Sequence, residues 1–87
     1  MGIVEQKIVD AGYEDVVVFS NYDYASAFIG VSDDNRAVYD FEKMVRYLVD
    51  EEGFDDEIEA IEWIEYNTLR ANAYMGNGAP IVVFPIE

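Results

Sequence analysis

Apolar residues recur three or four positions apart in three stretches of the chain, which is the spacing of helices that bury one stripe. The first stretch covers residues 3–11 and is followed by Gly12, a residue favoured just beyond a helix C-terminus. The second begins after Asp40, a good N-cap, and ends at Gly53, with Phe54 placed to pack back on the last turn. Its buried stripe is predicted to consist of Phe41, Met44, Val45 and Leu48.

The third stretch begins at Asp56, which has capping-box spacing with Glu59. Its helix is predicted to fade between residues 72 and 76. The predicted inner stripe, with Ile58 on its flank, consists of Ala60, Ile61, Ile64, Thr68 and Ala71.

Between the helices the pattern changes to that of strands. Residues 16–19, Val-Val-Val-Phe, are apolar on both faces, which favours a strand near the centre of a sheet. Residues 25–31 alternate, with Ala27, Ile29 and Val31 on one face, and residues 36–39 return after turn chemistry at 33–35. This arrangement predicts a β-hairpin.

A last strand is predicted at residues 81–84, opened by Pro80. Since Pro85 cannot donate a backbone hydrogen bond, this strand lies at a sheet edge or ends there. The order α-β-β-β-α-α-β predicts one α+β domain over residues 1–87. If neighbouring elements are antiparallel, the four strands form an antiparallel sheet of order 4-1-2-3, with a helical hairpin packed on one face.

Charge narrows the choice of partners. Nineteen acidic and five basic residues give a formal net charge of −14. Such a surface repels DNA, RNA and anionic membranes and is attracted to basic protein surfaces. The predicted partner is therefore a basic protein surface, such as that of a nucleic-acid-binding protein, with no direct binding to nucleic acid or membrane. The sequence leaves the oligomeric state open.

The residues needed for most chemistry are missing. The chain has no His and no Cys, which removes the commonest general base and the commonest zinc ligands. None of its hydroxyls lies in a nucleophile motif, and neither the acids at 33–34 nor those at 50–52 have EF-hand spacing. We therefore predict a non-enzymatic protein with no catalytic residue, metal site or cofactor. Without cysteines, a signal-peptide pattern or a membrane-length apolar run, the predicted location is cytoplasmic.

The acids are concentrated in residues 50–65, and no base lies between Arg46 and Arg70. Those at the start of the third helix are stabilised by its dipole, by ~0.3–1 kcal/mol each. Glu59, Glu62 and Glu65 lie further along at like-charge i,i+3 spacing, which costs ~0.2–0.5 kcal/mol per pair. The sequence thus keeps a repulsion that a stable, isolated helix would avoid.

One interpretation of these acids is DNA mimicry. Acids three or four residues apart on a helix recur every ~4.5–6 Å, while phosphates along a DNA strand recur every ~3.4 Å, so a surface that binds a phosphate backbone with Arg and Lys could bind this series of acids. The alternative is a small structural or regulatory domain whose acids only confer solubility, and a halophilic source is a third explanation. Trp63 and Tyr66 lie off the inner stripe, as aromatic anchors do, although a flanking loop or the first helix could cover Trp63. The candidate partner-binding residues are Asp55, Asp56, Glu59, Glu62, Trp63, Glu65 and Tyr66.

In its size, acidity and α-β-β-β-α-α order, the chain resembles the small anti-CRISPR proteins of phages, in particular the Listeria prophage inhibitors of the CRISPR nuclease. That resemblance implies acidic side chains that occupy the DNA-entry surface of a nuclease. The strand after Pro80 is additional to the layout of those proteins. Separately, residues 64–70 followed by 76–86 resemble the tail of uncharacterised small proteins from gut Firmicutes and their mobile elements.

Overall fold

The computed structural model of the chain describes residues 2–72 and 74–86, and within these residues the fold is α+β. The elements are helix α1 (Ile3–Asp10), a 3-10 turn (Ala25–Ala27), strands β1 (Phe28–Val31) and β2 (Ala37–Asp40), helices α2 (Phe41–Glu51) and α3 (Glu57–Trp63), and strand β3 (Ile81–Val83). Helix α3 continues as a π-helical segment (Ile64–Leu69) and a short α-helical turn (Arg70–Asn72). These three pieces together are called the third helix below. Ala73 in the predicted helix end, and Met1 and Glu87 of the predicted domain, lie outside the described residues.

The helix boundaries follow local chemistry. Gly12 and Gly53 lie just beyond α1 and α2 with φ of +92° and +77°, so both predicted C-terminal glycines are confirmed. The predicted N-cap is also confirmed, because the carboxylate of Asp40 accepts a hydrogen bond from the backbone N–H of Lys43 at 3.0 Å. Each of these helix ends is determined by residues only a few positions apart in the chain, which is why the sequence pattern could locate them.

The predicted β-hairpin is present. Strands β1 and β2 pair antiparallel, with Phe28 opposite Tyr39, and Asn35 takes a positive φ of +63° in the turn between them. The register shifts between Phe28 and Gly30, as in a β-bulge. Ile29, predicted to share a face with Ala27 and Val31, is 57% exposed, whereas Ala27 is fully buried.

Residues 16–19 do not form the predicted strand. The central strand β2 is paired with β1 on one side and β3 on the other, so this segment has no central position in the described sheet. It contributes to the core through side chains instead. The ring of Phe19 lies 4.7 Å from that of Tyr39 and 5.9 Å from that of Tyr24, between ring centroids.

The sheet is mixed, and the predicted all-antiparallel order 4-1-2-3 is not confirmed. Its order is β1-β2-β3, and β3 runs parallel to β2 with Val38 opposite Ile81. A parallel pair requires a long crossover connection. Helix α2 and the third helix provide it, since they pack against each other between the two strands in the chain. Strand β3 lies at a sheet edge and ends before Pro85, in line with the limit that proline imposes.

The core is rich in aromatic side chains. Tyr24 is fully buried, and its ring contacts those of Phe19, Tyr22, Tyr39 and Tyr47 at centroid distances between 5.4 and 6.3 Å. Other buried side chains come from α1, α2 and the third helix, namely Val4, Ile8, Met44, Val45, Leu48, Ala60 and Ile64. The third helix is therefore anchored along one side and leaves its other side to solvent.

Candidate partner-binding face

The third helix begins at one of the candidate residues. Asp56 takes extended backbone angles, and its carboxylate accepts a hydrogen bond from the backbone N–H of Glu59 at 2.8 Å. It is therefore an N-cap, as the capping-box spacing predicts. Its charge also lies at the positive end of the helix dipole. Asp56 thus has a structural role that is independent of any partner.

The other acidic candidates lie open to solvent. Asp55, Glu59, Glu62 and Glu65 are all exposed. Within residues 2–72 and 74–86, the ion pair that forms joins Arg36 to Asp34 at the hairpin turn, 3.7 Å apart. Among the described residues, the four carboxylates therefore have no basic neighbour within salt-bridge distance. We call them, together with Tyr66, the acidic face.

A change of helix type divides the acidic face. Glu59 and Glu62 lie in regular α-helix, about one turn apart along the axis, whereas Glu65 and Tyr66 lie in the π-helical segment. A π-helical turn closes hydrogen bonds from i to i+5, and such turns occur frequently at functional sites. The segment rotates Glu65 and Tyr66 relative to the positions that a continuous α-helix would give them.

The two aromatic candidates have different surroundings. Trp63 is half-buried, with ring centroids 4.9 Å from Tyr22 and 6.2 Å from Phe54. Tyr66 is 67% exposed, and the guanidinium carbon of Arg70 lies 5.2 Å from its ring centroid. Such a cation–π contact orients the ring without burying it. Trp63 therefore packs in an aromatic cluster with Tyr22 and Phe54, whereas Tyr66 lies on the solvent-exposed side of the third helix.

Further acids extend the negative region towards the end of α2. Asp50, Glu51 and Glu52 are exposed there, at the negative end of the helix dipole. The hydroxyl of Tyr47 donates a hydrogen bond to Glu52 at 3.0 Å. Partial burial, followed by this carboxylate, raises the pKa of Tyr47 to about 12, so the hydroxyl remains a donor at neutral pH. The bond offsets part of the unfavourable position of Glu52.

Two contacts that hold helices of this fold in place were not predicted, one at the third helix and one at α1. Thr68 was assigned to the inner stripe, but its buried hydroxyl also lies 3.2 Å from that of Tyr24, which joins the π-helical segment to the core. Asp23 accepts hydrogen bonds from the backbone N–H groups of Ile3 and Val4 and so caps α1 from 20 residues away. Sequence spacing contains no signal for either contact. The Tyr66–Arg70 contact could have been found, since i,i+4 pairs meet on a helix.

Among residues 2–72 and 74–86 there is no group of three acidic, His or Cys side chains that could hold a metal ion. In the same part of the chain, no helix has both the length and the apolar character needed to cross a membrane. The acidic face itself consists of four carboxylates and one phenol, and the guanidinium of Arg70 lies against the phenol ring.

No protein-family model, curated protein or solved structure matches the chain.

Proposed function

We propose that this chain is a non-enzymatic interaction module whose acidic face binds a basic protein surface. The observation that supports the proposal is the row of exposed carboxylates on the third helix that lacks basic neighbours in the described structure, with Tyr66 beside it. Charged groups on such a surface steer a basic partner during encounter and fix its orientation. An exposed aromatic ring among them is a typical anchor of an interface.

The partner that best fits this chemistry is a protein that binds nucleic acid. Such proteins bind phosphates with Arg and Lys, and a series of exposed carboxylates offers them a similar target. The chain would then compete with DNA as a mimic, as the resemblance to phage-borne anti-CRISPR proteins implies.

A second candidate is a structural or regulatory domain whose acids only confer solubility. Its support is the presence of exposed acids outside the third helix, including Glu5 on α1, Glu14 after it and Asp33 in the hairpin turn. A high net charge keeps small proteins apart whatever its distribution. The two functions differ in whether the position of the charges matters.

The test compares two variants with the same net charge. The face variant is Glu59→Gln, Glu62→Gln and Glu65→Gln, and the control variant is Glu5→Gln, Glu14→Gln and Asp33→Asn. All six residues are exposed, and each variant loses three negative charges. Circular dichroism and the fluorescence of Trp63 verify the fold. The face variant should lose ~0.2–0.5 kcal/mol of repulsion for each like-charge pair removed, so its stability should stay level or rise slightly.

The binding measurement uses basic proteins captured from a bacterial lysate on the immobilised chain, followed by titration of each purified protein with and without duplex DNA. We expect the face variant to bind at least about tenfold more weakly, with a smaller salt dependence, and the control variant to bind as the unmodified chain does. DNA should displace the chain from its partner. Equal losses in both variants would show that only total charge matters, and would favour the solubility function.

A further inference from the structure

A groove beside the acidic face is lined about equally by polar and apolar surface, and we call its apolar part the floor. It lies between α2, the start of the third helix and the segment after β3, and has a volume of about 500 Å³. Apolar side chains from all three elements line it, namely Phe41, Val45, Ile61 and Phe84. The elements come from distant parts of the chain, so the groove exists only in the folded protein.

Part of this apolar floor is open to solvent. The rings of Phe84 and Phe41 pack together with centroids 4.6 Å apart, yet Phe84 remains 61% exposed. Apolar surface left uncovered in a groove of this size marks a binding site more often than isolated exposed residues do.

The rim of the groove is acidic overall. Glu42 and Glu57 line it together with a single base, Arg46. Glu57 and Ile61 are one turn apart, and Glu62 and Glu65 are exposed further along the same helix. The groove and the acidic face therefore meet along the third helix.

We propose that this groove receives an amphipathic helix of the basic partner, with apolar residues in the groove and Lys or Arg along its flanks. The proposal rests on the proposed function and names the form of the partner. Charge complementarity selects the occupant, because basic flanks would meet Glu42 and Glu57 on the rim and Glu62 and Glu65 beside it. A second copy of the chain is disfavoured, since two chains of formal net charge −14 repel each other. A helix in an apolar groove is a common mode of peptide recognition, with anchors at i, i+3 or i+4, and i+7.

The test uses three synthetic helical peptides of about five turns each. The first carries a Leu stripe flanked by Lys, the second has the same composition scrambled so that no stripe forms, and the third has Glu in place of Lys. Fluorescence anisotropy of the labelled peptides measures binding to the whole chain at physiological salt. We expect the Leu/Lys stripe peptide to bind at least about tenfold more tightly than the scrambled peptide, because only the stripe can bury apolar surface in the groove.

Two variants then locate the site. Phe84→Ser should weaken binding of the Leu/Lys stripe peptide at least about tenfold and leave the scrambled peptide unaffected. Its matched control is Ile29→Ser, a similarly exposed apolar residue on β1, at the opposite edge of the sheet, which should change neither. Glu57→Lys keeps the apolar floor but reverses a rim charge. It should weaken the Leu/Lys peptide and strengthen binding of the Leu/Glu peptide.

The outcomes separate the groove from the acidic face. Equal binding of the stripe and scrambled peptides, or unchanged binding after both Phe84→Ser and Glu57→Lys, would overturn the groove proposal and leave the proposed function standing. If Phe84→Ser weakens the stripe peptide while the triple Gln variant of the acidic face does not, the groove is supported and the acidic face is not the binding surface.

Discussion

The buried contact between Tyr24 and Thr68 offers a direct test of how the third helix is held. Their hydroxyl oxygens are 3.2 Å apart, both side chains are buried, and the residues are 44 positions apart in the chain. The contact joins the centre of the aromatic core to the π-helical segment that carries part of the acidic face. Its removal should therefore be measurable as a loss of global stability. The perturbation is a double-mutant cycle of Tyr24→Phe, Thr68→Val and the two combined.

Each single change leaves one buried hydroxyl without its partner, which costs ~1–3 kcal/mol. Thr68→Val should be the more costly, because Tyr24 then keeps a hydroxyl that has lost its partner in the core. In Tyr24→Phe the cost should be smaller, because the hydroxyl of Thr68 can instead donate to a backbone carbonyl one turn earlier on its helix. The double variant removes both polar groups and should cost less than the sum of the single changes, with a coupling of ~0.5–3 kcal/mol.

Urea unfolding followed by the fluorescence of Trp63, the only tryptophan in the chain, measures each free energy of unfolding. Circular dichroism provides a second probe of the same transition. The control is Tyr66→Phe, which removes a hydroxyl from an exposed ring and should change stability by less than ~0.5 kcal/mol. Additive costs in the cycle would refute the reasoning, because two groups that do not interact lose stability independently.

Two further predictions concern stability. Asp23→Ala removes the acceptor for the backbone N–H groups of Ile3 and Val4, which lie 3.1 and 3.4 Å away. It should lower the free energy of unfolding by ~0.5–2 kcal/mol. An unchanged urea midpoint would show that the contact contributes nothing to stability. Burial raises the pKa of Tyr24 to about 12, while a tyrosine in the unfolded chain ionises near 10.0. Between these values the unfolded chain binds fewer protons than the folded one, so stability should fall as pH rises, by up to ~1.4 kcal/mol per pH unit from this residue. Urea midpoints measured across this range should decline less in Tyr24→Phe, and parallel declines in the two proteins would contradict the assignment to this residue.

Much of the local structure could be predicted from short-range chemistry. Asp40 and Asp56 each cap a helix through a backbone N–H three residues ahead, and Gly12 and Gly53 each provide the positive φ that a helix end requires. The exposed position of the acids on the third helix followed from the same periodicity, because the apolar residues between them identify the buried side. Such signals are local, and an unaligned sequence displays them directly.

The candidate site was predicted only in part. The exposure of Tyr66 agrees with its place off the apolar stripe, whereas the packing of Trp63 depends on Tyr22 and Phe54, which come from other segments. The π-helical segment gives no pattern distinct from that of an α-helix in so short a stretch. Its nearest tertiary contact, the hydroxyl pair of Thr68 and Tyr24, joins residues that no spacing rule connects.

By itself the sequence determined the α+β class, the three helices, the hairpin and the acidic exterior, because each depends on periodicity, capping or charge within a short stretch. Only the tertiary structure decided which strands pair. Residues 16–19 and 81–83 are equally apolar and β-branched, yet only the second run pairs with β2, where the helical crossover returns it in parallel. An apolar strand pattern determines which face of a strand is buried but not which strand it pairs with. Pairing therefore depends on how the whole chain packs around its core. The same packing brings the ring of Phe84 against that of Phe41 and forms the groove.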